Sequence, residues 1–125
     1  MKPEVSISDA ESRVLAVLWR DGPSTSDQVI AALAEEKWQV STIKTLLARL
    51  VKKRAIRAKK DGRRFVYSAT LTRQQWVASE SEGLLSRVFG GRVAPLVQYF
   101  SQHRRLSKAD IAELKRLIEE LDDGK

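Results

Sequence analysis

The chain has 125 residues, of which 42% are hydrophobic, a formal net charge of +7 and no cysteine. This length fits one domain or two small ones, and the lack of thiols excludes a disulfide framework, a thiolate metal site and a cysteine nucleophile. No apolar run approaches the roughly 20 residues of a membrane span, and the acidic start is unlike a signal peptide. The composition therefore predicts a soluble cytoplasmic protein without membrane insertion.

Two helices are predicted near the start of the chain. Ser8 and Glu11 have the spacing of a capping box, which predicts that a first helix begins there. The sequence Asp-Gly-Pro at 21–23 ends this helix, since glycine suits the position after a helix and proline cannot continue it. Residues 24–27 begin a second helix, and the polar segment 34–39 is the turn that follows.

A third helix is predicted from about Val40 to Arg54. Apolar residues recur along one of its faces at spacings of three and four, as in an amphipathic helix. The opposite face is polar and basic. The apolar positions are Ile43, Leu46, Leu47, Leu50 and Val51.

A β-hairpin follows the third helix, because Asp61-Gly62 between two short runs is typical of a tight turn. Phe65 and Tyr67 alternate with Arg64, Val66 and Ser68, as residues on one face of a strand do. Both aromatic rings are predicted to pin the hairpin to the core rather than to stack on bases. Trp19 and Trp38 are predicted to pack in or beside the same core.

The basic residues concentrate on the third helix and the hairpin. Ten Lys and Arg lie between Lys44 and Arg64 against one acid, Asp61, a density that suits a phosphate backbone. The order helix, helix, turn, helix, hairpin is that of a winged helix-turn-helix domain, with a recognition helix and a wing. The partner predicted from this pattern is double-stranded DNA.

The predicted DNA contacts lie on the exposed face of the third helix and in the wing. Ser24 and Ser26 are additional candidates for phosphate contact at the start of the second helix. The helix and wing candidates are Ser41, Thr42, Lys44, Thr45, Arg49, Lys52, Lys53, Lys59, Lys60, Arg63 and Arg64.

Three more helices are predicted in the second half of the chain. Gly90-Gly91 separates the first from the second, and Ser107 caps the third. They are too short and amphipathic to bury their apolar faces alone, which favours pairing with a second copy of the chain. The alternative is that this half folds back on the first. The predicted organisation is a mostly α protein with a winged-helix domain at 1–70 and a dimerisation region at 71–125. The predicted dimer contacts are Trp76, Leu84, Leu85, Val88, Leu96, Ile111, Leu114, Ile118 and Leu121.

The sequence offers no catalytic constellation, glycine-rich phosphate loop or cofactor motif, so an enzyme is not predicted. The single histidine, His103, lies in a polar, basic stretch and is interpreted as a surface residue. A metal site formed by His103 with Asp110 or Glu113 is the alternative, although one histidine with carboxylates makes a weak transition-metal site.

Taken together, these motifs resemble the penicillinase and methicillin-resistance repressors of bacteria, and the likeness covers nearly the whole chain. The second-half motifs make it specific, since other helix-turn-helix families lack them. The matching segments are I-S-D-A-E (7–11), L-W (18–19), T-I-K-T-L-L-A-R-L (42–50), K-K (52–53), F-x-Y-S (65–68), F-G-G (89–91), L-V (96–97), Phe100 and D-I-A-E-L (110–114).

This resemblance implies a homodimeric repressor that binds a palindromic operator in front of a β-lactamase or related resistance operon. In inducible members a membrane-bound sensor protease responds to a β-lactam, and the repressor is then cut just before a phenylalanine that matches Phe100. Relatives carry asparagine before that bond, whereas this chain carries Tyr99. A copper-responsive branch uses cysteines that this chain lacks.

Two further interpretations remain open from the residues. The first is a winged helix that binds a protein partner through another face; the basic segment argues for DNA instead. The second is a repressor of an unrelated operon that is released by a small ligand, because one fold can serve different regulatory circuits.

Overall fold

The computed structural model describes residues 6–103 and 105–123, which form mostly helices and one small antiparallel sheet. The chain divides into two compact units, 1–80 and 81–125. The predicted fold class is confirmed. The elements are α1 (Asp9–Asp21), β1 (Ser24–Thr25), α2 (Ser26–Ala32), a 3-10 turn (Ala34–Glu36), α3 (Val40–Lys52), β2 (Ile56–Asp61), β3 (Arg64–Ala69), α4 (Arg73–Phe89), α5 (Val93–Gln102) and α6 (Lys108–Asp123).

Side-chain caps set the start of the first two helices. The predicted box of α1 is present: the Glu11 N–H donates to Ser8 Oγ at 3.1 Å, and the Ser8 N–H donates to Glu11 Oε1 at 2.9 Å. Thr25 is the cap of α2 and forms the same reciprocal pair with Gln28. Each box satisfies helix-terminal N–H groups that would otherwise lack a partner.

The core of the first unit lies between α1, α2, α3 and the start of β2. Helices α1 and α3 each bury four apolar side chains, as the helical periodicity predicts, whereas α2 buries only Val29. Val51 does not join them: it is 36% exposed, so its place on the apolar face was predicted wrongly. The buried apolar residues are Ile7, Val14, Leu15, Val17, Leu18, Val29, Leu33, Ile43, Leu46, Leu47, Leu50, Ala55 and Ile56.

The end of α3 is a Schellman motif with an arginine in the left-handed position. Arg54 has φ 64°, its N–H donates to Val51 O at 3.0 Å, and the Ala55 N–H donates to Leu50 O at 3.0 Å. Glycine is the usual residue at this position because a Cβ is disfavoured there. The reversal turns the chain directly into β2 and brings Ala55 into the core.

The sheet has three strands in the order β1-β3-β2, one more than the predicted hairpin. The extra strand is Ser24–Thr25, which pairs with Tyr67 and Val66 of β3. A strand of two residues is too short to show the alternation of apolar and polar side chains by which strands are predicted from sequence. Its pairing ties the start of α2 to the wing.

The two aromatic residues of β3 differ in their surroundings. Tyr67 is partly buried and packs against the core, as predicted. Phe65 is 48% exposed, so the prediction that it pins the wing to the core is wrong. Phe65 lies next to the hairpin turn, and its side chain is not among those that pack on the core.

The tryptophans belong to the first unit. Trp19 and Trp38 pack against the core as predicted, and Trp19 Nε1 donates to Leu71 O at 2.9 Å. Trp76, which was predicted to be a dimer contact, packs on Trp19 with ring centroids 5.6 Å apart. The start of α4 is thus held by the winged-helix unit, and the dimer contact predicted for Trp76 stays a prediction.

In the second unit the apolar side chains remain largely accessible. Gly90 and Gly91 adopt positive φ between α4 and α5, where the sequence predicted a break, and Ser107 caps α6 with Asp110. No described side chain of α4, α5 or α6 is fully buried. Large apolar residues that stay exposed in this unit are Leu84, Val88, Val93, Tyr99, Phe100, Ile111, Leu117, Ile118 and Leu121.

None of the described helices combines the length and the apolar character needed to cross a bilayer.

Candidate nucleic-acid interface

The exposed face of α3 presents hydroxyl and guanidinium groups along a groove of about 250 Å³. Ser41, Thr42, Thr45 and Arg49 line this groove together with the edge of Leu46. The opposite face of α3 is anchored in the core, so the helix cannot turn these groups away. Lys44 and Lys52 are exposed on the same helix. The structure therefore brings six of the predicted helix residues to one surface.

The positive charges of this surface are available to a partner. Of the six ion pairs within residues 6–103 and 105–123, none involves Arg49, Lys44 or Lys52. An unpaired, solvated cation keeps its full attraction for phosphate. Arginine can also donate two parallel hydrogen bonds to a guanine edge.

The wing carries five more exposed cations: Arg57, which the sequence analysis did not select, and the predicted Lys59, Lys60, Arg63 and Arg64 near its tip. Its strands pair in the register Lys59 opposite Val66, Lys60 opposite Phe65 and Asp61 opposite Arg64. Asp61 is the single acid of the hairpin. The wing is thus strongly basic at its tip, as the sequence predicted.

Strand β1 connects this wing to α2, and it changes the interpretation of one candidate. Ser24 is buried and its hydroxyl donates to Gly22 O at 2.9 Å, so the prediction that it contacts phosphate is wrong. Ser26, the first residue of α2, is only half-buried. The burial of Ser24 follows from the third strand, which the sequence did not predict.

Lys53 differs from the other basic residues of α3. Its ammonium donates to Glu11 Oε1 and to Ser6 O, each at 2.6 Å, on the side of the helix that faces α1. Burial alone would raise the pKa of Glu11. The hydrogen bonds from Lys53 and Ser8 and the nearby positive charge outweigh burial and hold that pKa below 4.5. Lys53 therefore connects α3 to α1, and its ammonium is already engaged by these two contacts.

The predicted cleavage pair lies in the last turns of α5. Tyr99 and Phe100 are both exposed, and their rings meet edge to face with centroids 5.4 Å apart. His103 stacks on Tyr99 with centroids 4.2 Å apart and is solvent-exposed, as predicted. Across the described part of the chain no three His, Asp or Glu side chains gather as metal ligands would.

Sequence reasoning missed two exposed apolar side chains at this surface, Val40 and Phe65. Val40 is the first residue of α3, where recognition helices approach base edges. Phe65 lies in the wing. A two-residue hairpin turn implies that Phe65 pairs with Lys60. A lysine directly opposite Phe65 is the sequence signal that this pair lies outside the core.

Comparison with known proteins supports this interpretation. Residues 7–120 match the family model of the penicillinase repressor. The chain is 35% identical over 121 residues to the penicillinase repressor of Bacillus licheniformis, covering 96% of this chain and 94% of that protein. It is 30% identical over 113 residues to the methicillin resistance regulatory protein MecI of Staphylococcus aureus strain N315, covering 90% and 92%.

Among solved structures, the monomeric form of Bacillus licheniformis BlaI in complex with the blaP half-operator matches with a TM-score of 0.52 and 38% identity. That match covers 60% of this chain and 93% of the BlaI chain. The family consists of repressors rather than enzymes, which agrees with the lack of a catalytic constellation. Because the family model and both repressors align with nearly the whole sequence, the chain belongs to the penicillinase repressor family.

Proposed function

We propose that this protein is a transcriptional repressor that binds operator DNA through the exposed face of α3 and through the wing. The observation that carries the proposal is the groove of Ser41, Thr42, Thr45 and Arg49 on a helix whose other face is fixed in the core. Hydroxyl groups and an arginine fork can read base edges. Lys44, Lys52 and the four cations near the wing tip supply phosphate contacts that hold the helix in the groove.

The relatives support a sequence-specific role. BlaI of Bacillus licheniformis, 38% identical in the compared region, has been solved on a half-operator. By analogy, one winged helix of this protein binds one half of a two-fold symmetric operator. Two half-sites then require two copies of the chain, with their recognition helices one or two DNA turns apart, roughly 34 Å per turn.

We propose further that residues 71–125 form the homodimer. The support is the row of exposed apolar side chains on α6, Ile111, Leu117, Ile118 and Leu121, with half-buried Leu114 between them. A solvated apolar stripe on a helix is stabilised when a second copy covers it.

The regulated genes are proposed to be a β-lactamase or related resistance operon, in line with the names of the two repressors that match most of the chain. Release from DNA is proposed to follow cleavage between Tyr99 and Phe100. The bond lies inside α5, so the helix must open locally before a protease can bind it as an extended strand. A cut there separates α6 from the DNA-binding unit.

A mobility-shift titration on the promoters of its own and neighbouring genes tests DNA binding. We expect a sharp shift with two chains per site that Arg49→Ala weakens by about 100-fold, since a bidentate arginine contributes about 1–3 kcal/mol and its loss acts in both halves of the dimer. Arg92→Ala is the matched control, because it removes an equal exposed charge from the start of α5.

One outcome of this titration would contradict the proposal. If the wild-type protein binds these promoters no better than random DNA and Arg49→Ala has no effect, α3 does not read sequence. The winged helix would then be interpreted as a protein-interaction module.

A further inference from the structure

Phe65 is an aromatic side chain that the fold leaves in solvent at the tip of the wing. It is 48% exposed, although β3 continues directly into Tyr67, which packs on the core. Single exposed apolar residues are common and by themselves carry no function. The surroundings of Phe65 distinguish it from such cases.

The strand register shows which face of the wing carries the ring. Residues directly opposite each other in an antiparallel pair project to the same face. Ile56 with Ala69 and Ala58 with Tyr67 form the face that meets the core, and Lys60 with Phe65 is the next pair on it. This face therefore extends beyond the core as an overhang made of one aromatic ring and one ammonium group.

The charge around this overhang selects the partner. Arg63 lies in the adjoining turn, and Lys59 and Arg64 lie on the other face of the same two strands. Within the described residues no acid forms an ion pair with any of these three cations or with Lys60. A second copy of this chain would have to bring acidic groups to match four cations. A nucleic-acid backbone offers phosphates for the cations and apolar C–H groups of deoxyribose for the ring.

The position of the overhang agrees with such a partner. Val66, the neighbour of Phe65, pairs with Thr25, which caps the start of α2. In helix-turn-helix proteins the first helix of the motif crosses the DNA backbone beside the recognition helix. The sheet thus holds the strand that carries Phe65 beside the start of α2.

We propose that Phe65 and Lys60 form a mixed apolar and cationic contact on the DNA that flanks each half-site. The Phe65 ring packs on the deoxyribose wall of the minor groove, and the Lys60 ammonium binds the adjacent phosphate. This inference rests on the proposed function, and it adds a contact whose free energy is independent of base pairing. Because the ring itself is neutral, its contribution to affinity does not arise from counterion release.

The test is a salt titration of operator affinity with full-length variants, using the duplex found in the mobility-shift experiment. Phe65→Ala is expected to lower affinity about tenfold at every salt concentration, since removing an apolar contact changes no charge. Lys60→Ala is expected to lower affinity mainly at low salt and to reduce the slope of log K against log salt by about one per half-site. Phe65→Leu is the conservative control and should retain most of the affinity.

A second arm locates the contact. Shortening the duplex by about five base pairs at each end, half a turn of DNA, removes the flank that the wing would reach. On the short duplex wild type and Phe65→Ala should bind with nearly equal affinity, because both have lost the same phosphate contact and the ring has nothing left to pack on.

Two outcomes would overturn the inference. One is equal binding of wild type and Phe65→Ala at all salt concentrations while Arg49→Ala still weakens the shift, which leaves the proposed function intact. The other is a Phe65→Ala variant with altered self-association in sedimentation but unchanged operator affinity, which would make the ring a protein contact. If wild type shows no specific binding at all, the proposed function itself is wrong, and the inference drawn from it is wrong as well.

Discussion

At the scale of single residues, several side chains near the proposed DNA surface depart from the role that their type suggests. Lys53 lies in the basic cluster but binds Glu11, and Ser24 lies at a helix start but is buried. Phe65 is aromatic but exposed. Each departure arises because a neighbour from a distant part of the chain is present or absent. Residue type alone therefore does not identify a DNA contact.

The backbone conformation of Arg54 leads to a prediction about stability. Its φ of 64° is disfavoured for any residue with a Cβ, and its backbone is fixed by the Schellman hydrogen bonds and by Thr70 Oγ1, which donates to Arg54 O at 2.7 Å. Arg54→Gly should therefore raise the free energy of unfolding by about 0.5–1 kcal/mol. Urea denaturation measures this change.

The control for this prediction is Arg54→Ala, which removes the same charge and most of the side chain but keeps the Cβ. We expect no gain in stability from that variant. Equal gains from both variants would show that the arginine side chain, rather than the backbone conformation, is unfavourable.

At the scale of elements, α3 is placed by its apolar face and by an ion pair near its C-terminal end. Its apolar face is fixed in the core, and near its end Lys53 reaches the first turn of α1 through Glu11 and Ser6 O. Glu11 is only 2% exposed, and its Oε1 also caps α1 through Ser8. One carboxylate thus connects the start of α1 to the end of α3.

This carboxylate predicts a dependence of stability on pH. Because the folded-state pKa of Glu11 lies below 4.5, the ionised form stabilises the fold at higher pH. The contribution should be complete above about pH 5 and should be lost as the pH falls through the folded pKa. Glu11→Gln should cost about 1–3 kcal/mol at pH 7 and should reduce the acid-induced loss, as measured by denaturation across pH 3–7.

Glu35→Gln is the comparison for this experiment. It removes an exposed carboxylate from the 3-10 turn of the same unit. An acid-induced loss that persists unchanged in Glu11→Gln, or that disappears equally in Glu35→Gln, would mean that other carboxylates control the transition.

At the scale of the whole molecule, the two units differ in how they bury apolar surface. The first has a continuous core, whereas the described helices of the second have no fully buried side chain. On α6, Ile118 is 58% exposed and Leu121 is 74% exposed. A chain with such a surface gains stability by association, which is the physical basis for the proposed homodimer.

The dimer contact can be tested on α6. Ile118→Asp places a charge in the apolar stripe and should weaken self-association at least tenfold, because burying an unpaired carboxylate is costly. Ala112→Asp introduces the same group on the opposite, exposed face and should leave association unchanged. Sedimentation equilibrium measures both. Equal dimer strength for Ile118→Asp and wild type would show that α6 lies outside the interface.

Much of this protein follows from local sequence. Capping pairs, glycine breaks and helical periodicity predicted the order of the helices and of the hairpin, because those features depend on residues within a few positions of each other. The face of α3 with Ser41, Thr45 and Arg49 was predictable for the same reason, since its other face has to be apolar. The family resemblance rests on the same local motifs.

Other features depended on tertiary structure. The strand Ser24–Thr25 exists only because β3 lies beside it, and that pairing buries Ser24. Lys53 is directed to Glu11 by the packing of α1 on α3, and Trp76 is directed to Trp19 across more than fifty residues. Periodicity tells which side of an element is apolar, but contacts between residues far apart in sequence decide what each side meets.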